Sequence, residues 1–209
     1  MFVKICGLRE ERHVETCLEE RVDAIGFVLT PSPRFVAPER ARHLVNLVDD
    51  AALTVGVFRD ETVDEIERLA EAAGVGAVQV HGQRTRAELA KLTRPDRKLI
   101  RAVSFDDPSI EENWGEDMLL VDAPHPGSGQ AWDYASMAAS LTRRDGTYSV
   151  ETGEGPARRW ILAGGLTPEN VAAAIEAANP WGVDVSSGVE ASPGVKSSQL
   201  IREFMAAAR

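Results

Sequence analysis

No apolar run in this chain approaches the ~20 residues that a membrane span requires, and residues 1–8 lack the basic start and long apolar core of a secretory signal. Both absences point to a cytoplasmic home. Cysteine is almost missing: Cys6 and Cys17 are the only two among 209 residues. They have neither metal-ligand spacing nor the pattern of a disulfide framework, so a reducing compartment leaves both as free thiols. Lysine is scarce, 4 against 19 arginines, and acids outnumber all cations to give a net charge of -10. That field repels polyanions, which excludes nucleic acid and anionic membrane as partners. The acids are spread along the helical segments rather than gathered in a tail, and a high-salt cytoplasm would screen such a shell, so a halophilic source is expected. A Gly-x-Gly-x-x-Gly after the first strand is also lacking, which argues against the runner-up fold, an open doubly wound sheet.

What is present is regular. Apolar runs rich in Val, Ile and Leu predict eight strands: Phe2–Cys6, Ala24–Val28, Leu53–Phe58, Ala77–Val80, Leu99–Val103, Met118–Asp122, Trp160–Ala163 and Gly182–Val185. Runs without polar alternation mark parallel strands covered on both faces. Amphipathic segments follow over Arg9–Glu20, Pro38–Val48, Glu61–Ala73, Arg86–Leu92, Trp132–Leu141, Pro168–Ala177 and Ser197–Ala208. Strand then helix, eight times over at about 26 residues per unit, predicts an α/β fold, one (β/α)8 TIM-barrel domain over 1–209. The polar stretch Thr142–Arg159 reads as a mobile insertion before the seventh strand, on the face away from the site.

In such a barrel the site lies at the C-terminal strand ends. Cys6 ends strand one, where a thiol is either a small core hydrophobe or a reactive group. Arg34 is held in the proline-stiffened loop after strand two, and its fork suits a carboxylate. Gln79 and His81 alternate to the same side of strand four, which gives His81 a positioning role. Asp122 closes an apolar run, where a carboxylate must be paired or functional; desolvation would raise its pKa toward that of a general acid. The glycine-containing loop 123–130, with Gly129, is a candidate lid. Gly164-Gly165 after strand seven and Ser186-Ser187-Gly188 after strand eight supply the backbone N–H groups of an anion cradle, at the usual phosphate position of this fold.

Lys4-Ile5-Cys6-Gly7-Leu8, Ser32-Pro33-Arg34-Phe35, Gln79-Val80-His81-Gly82, Leu162-Ala163-Gly164-Gly165-Leu166, Asp184-Val185-Ser186-Ser187-Gly188-Val189-Glu190 and Pro193-Gly194-Val195-Lys196, in this order over nearly the whole chain, resemble phosphoribosylanthranilate isomerase of tryptophan biosynthesis. The resemblance implies a barrel without cofactor and an Amadori rearrangement, with Cys6 as general base and Asp122 as general acid. The partner is then a small phosphosugar bearing an anthranilate group. Arg34 would hold the anthranilate carboxylate, and Gly164, Gly165, Ser187 and Gly188 the phosphate. Gln79, His81, Gly129 and Ser186 complete the expected substrate-binding set. To act as a base Cys6 must become a thiolate, for which Lys4, Arg34 or a cationic substrate is the expected help. The family's Gly-Thr-Gly and Phe-Asp-Trp are here Gly127-Ser128-Gly129 and Trp132-Asp133-Tyr134, departures that touch only lid details. His13, His43 and His125 form no metal-ligand set, so no metal is expected, and the assembly is read as a monomer or homodimer. Two other classes stand beside this reading. One is a phosphosugar epimerase or lyase, the lyase needing an inward lysine, for which Lys4 is the one strand lysine. The other is a catalytically dead binding barrel.

Overall fold

The computed structural model describes residues 1–122, 147–148 and 158–209. Its strands are β1 (Phe2–Cys6), β2 (Ala24–Val28), β3 (Leu53–Phe58), β4 (Ala77–Val80), β5 (Lys98–Ser104), β6 (Met118–Asp122), β7 (Thr147–Tyr148), β8 (Arg158–Ala163) and β9 (Gly182–Val185). Each of β1 through β5 pairs in parallel with the next, and β8 pairs in parallel with β9, as β9 does with β1. The parallel β6–β8 ladder, from Met118↔Arg159 to Asp122↔Ala163, closes the barrel. The helices are α1 (Glu11–Glu19), α2 (Pro38–Val48), α3 (Val63–Ala73), α4 (Arg86–Leu92), α5 (Val171–Ala178) and α6 (Ser198–Ala208). Among the described residues no helix is long and apolar enough to cross a membrane.

The reason for closure lies in the strand sequences. Odd and even positions both carry apolar residues, so each strand buries two faces, and the core divides in two. One part lies between sheet and helices and includes Ile5, Phe27, Trp160 and Phe204. The other fills the barrel with small and branched residues such as Val28, Val55, Ala77, Ala102 and Leu120, and it includes Cys6. Helix starts are set by local hydrogen bonding. Thr62 and Glu65 form a capping box, as do Thr85 and Glu88, which is why α3 begins at Val63 rather than at the predicted Glu61.

Among the described residues the strand–helix alternation fails once. Residues 105–117, between β5 and β6, form turns and no helix. The loop is gathered around Arg101, which points out of β5 and is buried. Its guanidinium donates to Glu116 Oε1 (3.0 Å), to Ser109 Oγ and carbonyl O (2.9 and 3.2 Å) and to Glu112 O (2.7 Å). It also lies over the Trp114 ring at 4.8 Å. One arginine thus satisfies the loop carbonyls that a helix would have satisfied itself.

Of the predicted insertion, Thr147–Tyr148 pairs antiparallel with Arg158–Arg159, at the end of β8 away from the site. The rest of 142–157, the predicted helix Trp132–Leu141 and the loop with Gly129 lie outside the described residues.

Candidate active site

The C-terminal strand ends open onto one pocket of about 680 Å³, whose lining includes Cys6, Arg34, His81, Asp122, Gly164 and Ser187. A cavity of that size suits a small ligand. Gln79, Gly165 and Ser186 line it too, whereas Gly188 is not among the lining residues.

Cys6 is the last residue of β1, with its side chain inside the barrel and only 6% of the residue exposed. Its partner across β1–β2 is Gly26, and a Cβ on that glycine would fall 2.9 Å from the Cys6 sulfur. The missing side chain is the space in which the thiol sits. Gly26→Ala is therefore expected to cost about 1–3 kcal/mol by overpacking and to lower kcat by about 10²-fold through displacement of the sulfur. Steady-state kinetics with thermal unfolding checks it, and wild-type kcat in the alanine variant would show that the sulfur tolerates displacement.

Beneath the thiol, Lys4 is fully buried and donates to Asp184 Oδ1 at 2.8 Å across the β1–β9 register. This lysine is spoken for by a carboxylate, so it is not the free inward amine that a lyase needs. Nor is it the only strand lysine: Lys98 opens β5 and pairs with Asp117, and Lys196 lies in the hairpin that follows β9.

Of the helpers expected for Cys6, Lys4 does not bring its pKa down in the free protein. Burial pushes the thiol above its ordinary value of 9.0, and Asp184 pushes the same way; Lys4 and Lys196 oppose them without prevailing. The resting group is a thiol. Alkylation of Cys6 by a small reagent should climb in rate through pH 9 without levelling, followed by mass spectrometry of the Cys6 peptide. A plateau below about pH 8 would mean an activated thiolate. Cys17 does not interfere, being fully buried and pushed up to about 12 by desolvation.

Gln79 and His81 share a face as predicted, with Gln79 Nε2 and His81 Nε2 2.8 Å apart. Desolvation, helped by the Lys4 charge, brings the His81 pKa down to about 4, so the ring is neutral at physiological pH. A neutral ring that accepts from the Gln79 amide carries its proton on Nδ1. Gln79 Oε1 is buried and has no partner among the described residues. Asp122 ends β6, half-buried, in register with Ser104 on one side and Ala163 on the other.

Arg34 is engaged by the protein itself. Its Nε donates to Glu190 Oε1 at 2.7 Å and its Nη2 to Glu190 Oε2 at 2.9 Å, so the two-pronged face predicted for a ligand carboxylate already holds one. Burial would raise the Glu190 carboxyl, but hydrogen bonds from Arg34 and Lys196 outweigh it and hold the group at about 2.

The cradle forms from two interlocked loops. Gly164 and Gly165 take positive φ, 90° and 66°, and the space beside Gly165 is open. Asn170 fixes this loop by accepting from Thr167 N (2.8 Å) and donating to Gly165 O (2.9 Å), and α5 starts only after it, at Val171 rather than Pro168. A Cβ on Gly188 would lie 1.8 Å from Leu166 O, so that glycine permits the two loops to touch. Ser186 Oγ donates to Cys6 O (3.2 Å) and accepts from Lys196 (3.3 Å), which ties the hydroxyl to the framework.

Glu190, Lys196, Asp184 and Gly26 escaped the sequence reading as site residues. The rule that singled out Asp122, a carboxylate closing an apolar run, applies equally to Asp184 in Gly182-Val183-Asp184-Val185. No local signal marks Gly26, whose role comes from the neighbouring strand.

Comparison with known proteins agrees with this geometry. The family model described as N-(5'phosphoribosyl)anthranilate (PRA) isomerase matches residues 3–207. The N-(5'-phosphoribosyl)anthranilate isomerase of Roseiflexus sp. (strain RS-1) is 41% identical over 225 residues, covering 99% of this chain and 97% of its own. Among solved structures, TrpF from Jonesia denitrificans superposes with a TM-score of 0.84 at 40% identity, over 100% of this chain and 97% of its own. Phosphoribosyl anthranilate isomerase from Thermotoga maritima gives 0.84 at 34% identity, over 99% and 97%. A phosphoribosyl anthranilate isomerase in complex with reduced 1-(o-carboxyphenylamino)-1-deoxyribulose 5-phosphate gives 0.81 at 33%, over 99% and 97%.

Proposed function

The chain belongs to the N-(5'-phosphoribosyl)anthranilate isomerase family, aldose–ketose isomerases of tryptophan biosynthesis, and from that premise we propose how its own residues divide the work. Asp122 is the general acid. It delivers a proton to the furanose ring oxygen as the C1–O bond breaks, and the anthranilate nitrogen lone pair forms the C1=N bond of a protonated imine. Cys6 gives its thiol proton to water once the cationic imine lies beside it, and the thiolate is the general base: it takes the C2 proton so that the C2–H electrons form the C1–C2 enamine bond and the C1=N pair returns to the nitrogen. Reprotonation at C1 and loss of the enol proton give 1-(2-carboxyphenylamino)-1-deoxyribulose 5-phosphate, with no cofactor in the balance.

The free thiol fits this order of events. Ring opening puts a cation beside the sulfur, which favours its ionisation, and the same cation acidifies the C2 proton that the thiolate then takes. Arg34 takes the anthranilate carboxylate through the N–H groups Glu190 leaves uncommitted, both on Nη1 and the second on Nη2. The Gly164-Gly165 and Ser187 backbone takes the phosphate, and the two anchors fix the sugar between acid and base. Gln79 and His81 keep a neutral wall, which places no competing cation in the pocket.

The observation that carries the reading is the meeting of Cys6, Asp122, Arg34 and the glycine cradle on one pocket. Its test is turnover of N-(5'-phosphoribosyl)anthranilate, followed by loss of anthranilate fluorescence, in variants at positions 6 and 122. The barrel carries all of these groups on one chain, so the cytoplasmic enzyme works as a monomer or as a homodimer with independent sites.

A further inference from the structure

Glu190 and Lys196 touch none of the reacting atoms in the scheme above, yet between them they join Arg34, Ser186 and Gly194 beside the pocket. They face each other across a short hairpin of β10 (Glu190–Ser192) and β11 (Val195–Lys196), in register Glu190↔Lys196. Lys196 is 3% exposed. Its ammonium donates to Glu190 Oε1 at 2.8 Å, to the Ser186 carbonyl at 2.9 Å and to Ser186 Oγ at 3.3 Å, which uses all three protons. Glu190 Oε1 also accepts from Arg34 Nε, and Oε2 accepts from Arg34 Nη2 and from Gly194 N at 3.1 Å.

The hairpin is pressed onto the loop that carries Arg34. A Cβ on Gly194 would lie 2.5 Å from Pro33 O, and one on Gly7 would lie 2.9 Å from Arg34 Cδ. Arg34 therefore runs over the glycine that follows Cys6 and ends on Glu190. On the other side of the node, Lys196 holds the Ser186 carbonyl. A peptide is planar, so this fixes the direction of the Ser187 N–H as well.

We propose that Glu190 and Lys196 act as one positioning node that couples the two anionic anchors of the substrate. Through Glu190 the node sets Arg34 for the carboxylate, and through Lys196 it sets the Ser186–Ser187 peptide for the phosphate. Disturbing either residue loosens both anchors, although the two substrate groups lie at opposite ends of the sugar. Because Glu190 holds the Nε–H and one Nη2–H, the substrate carboxylate meets the Nη1–Nη2 end of the fork, whose direction Glu190 sets, and a ligand lacking the carboxylate leaves those donors unpaired. The inference rests on the reading of Arg34 as the carboxylate anchor.

The experiment uses the intact chain and three probes: reduced 1-(o-carboxyphenylamino)-1-deoxyribulose 5-phosphate, the same compound without its carboxylate, and inorganic phosphate. The variant is Glu190→Gln with Lys196→Met, which removes both charges and strands neither. Its KM for substrate is expected to rise about tenfold with kcat within about threefold, as for lost binding rather than lost chemistry. The affinity ratio between carboxylated and decarboxylated probes should fall about tenfold, and inorganic phosphate should bind more weakly as well. Loss at one anchor alone, or at neither, overturns the node. So does a fall in kcat matching the loss of thermal stability, which is what a merely structural hairpin would give. Arg34→Met separates this from the underlying reading. If that variant keeps the wild-type probe ratio, Arg34 is not the carboxylate anchor; if it loses the ratio while the double variant keeps it, the anchor stands and the node fails.

Discussion

Replacing Cys6 by serine or Asp122 by asparagine is expected to lower kcat by about 10³-fold each, near the middle of the range for a general acid or base. The two losses should differ in kind. Serine keeps the size of the buried side chain but cannot reach the ionised state at accessible pH, so removal of the C2 proton becomes the slow step. Substrate deuterated at C2 should then show a primary isotope effect in Cys6→Ser. Asparagine at position 122 keeps the shape of aspartate and loses the proton, which makes ring opening slow; the same deuterated substrate should show no isotope effect there. Anthranilate fluorescence measures both. Turnover within about tenfold of wild type in either variant sinks the role given to that residue, and reversed isotope effects would exchange the two roles.

The second large effect concerns stability. Lys4 and Asp184 are a buried ion pair inside the barrel, 2.8 Å apart, directly under the catalytic sulfur. Removing one partner leaves the other as an uncompensated buried charge, so Lys4→Met and Asp184→Leu are each expected to cost about 3–5 kcal/mol. In a chain of this length that lowers Tm by about 10 °C. The double variant strands no charge and should recover most of the loss, because a well-packed apolar pair replaces a buried ion pair at little net cost. Activity should not recover with it. The Lys4 ammonium also opposes the burial that keeps the Cys6 thiol protonated. A double variant that is both stable and fully active would show that the pair serves the fold alone. Additive single losses would show that the two charges do not compensate each other.

Particular residues show how far the chain explains itself. Six of the eight barrel strands, at Phe2, Ala24, Leu53, Ala77, Met118 and Gly182, begin and end where the apolar runs do. A parallel strand covered on both faces has no choice of residue on either side, so its length is written locally. Period-two alternation likewise put Gln79 and His81 on one face, where they bond each other, and the family resemblance named Cys6, Arg34 and Asp122 for one pocket. The connection after β5 was not legible, because it is held by Arg101 through carbonyls of residues 109 and 112 that are placed only once the loop has closed around it.

The sequence by itself determined the strand and helix series, the closed parallel barrel and which side chains face its mouth, since these depend on spacing along the chain. Only the tertiary structure decided what those side chains meet. Arg34 meets Glu190, 156 positions away, and Lys4 meets Asp184, 180 positions away. Cys6 stays a thiol because burial outweighs two neighbouring ammonium groups. Coulomb and desolvation energies depend on distance and water in three dimensions, and neither quantity is a function of separation in sequence.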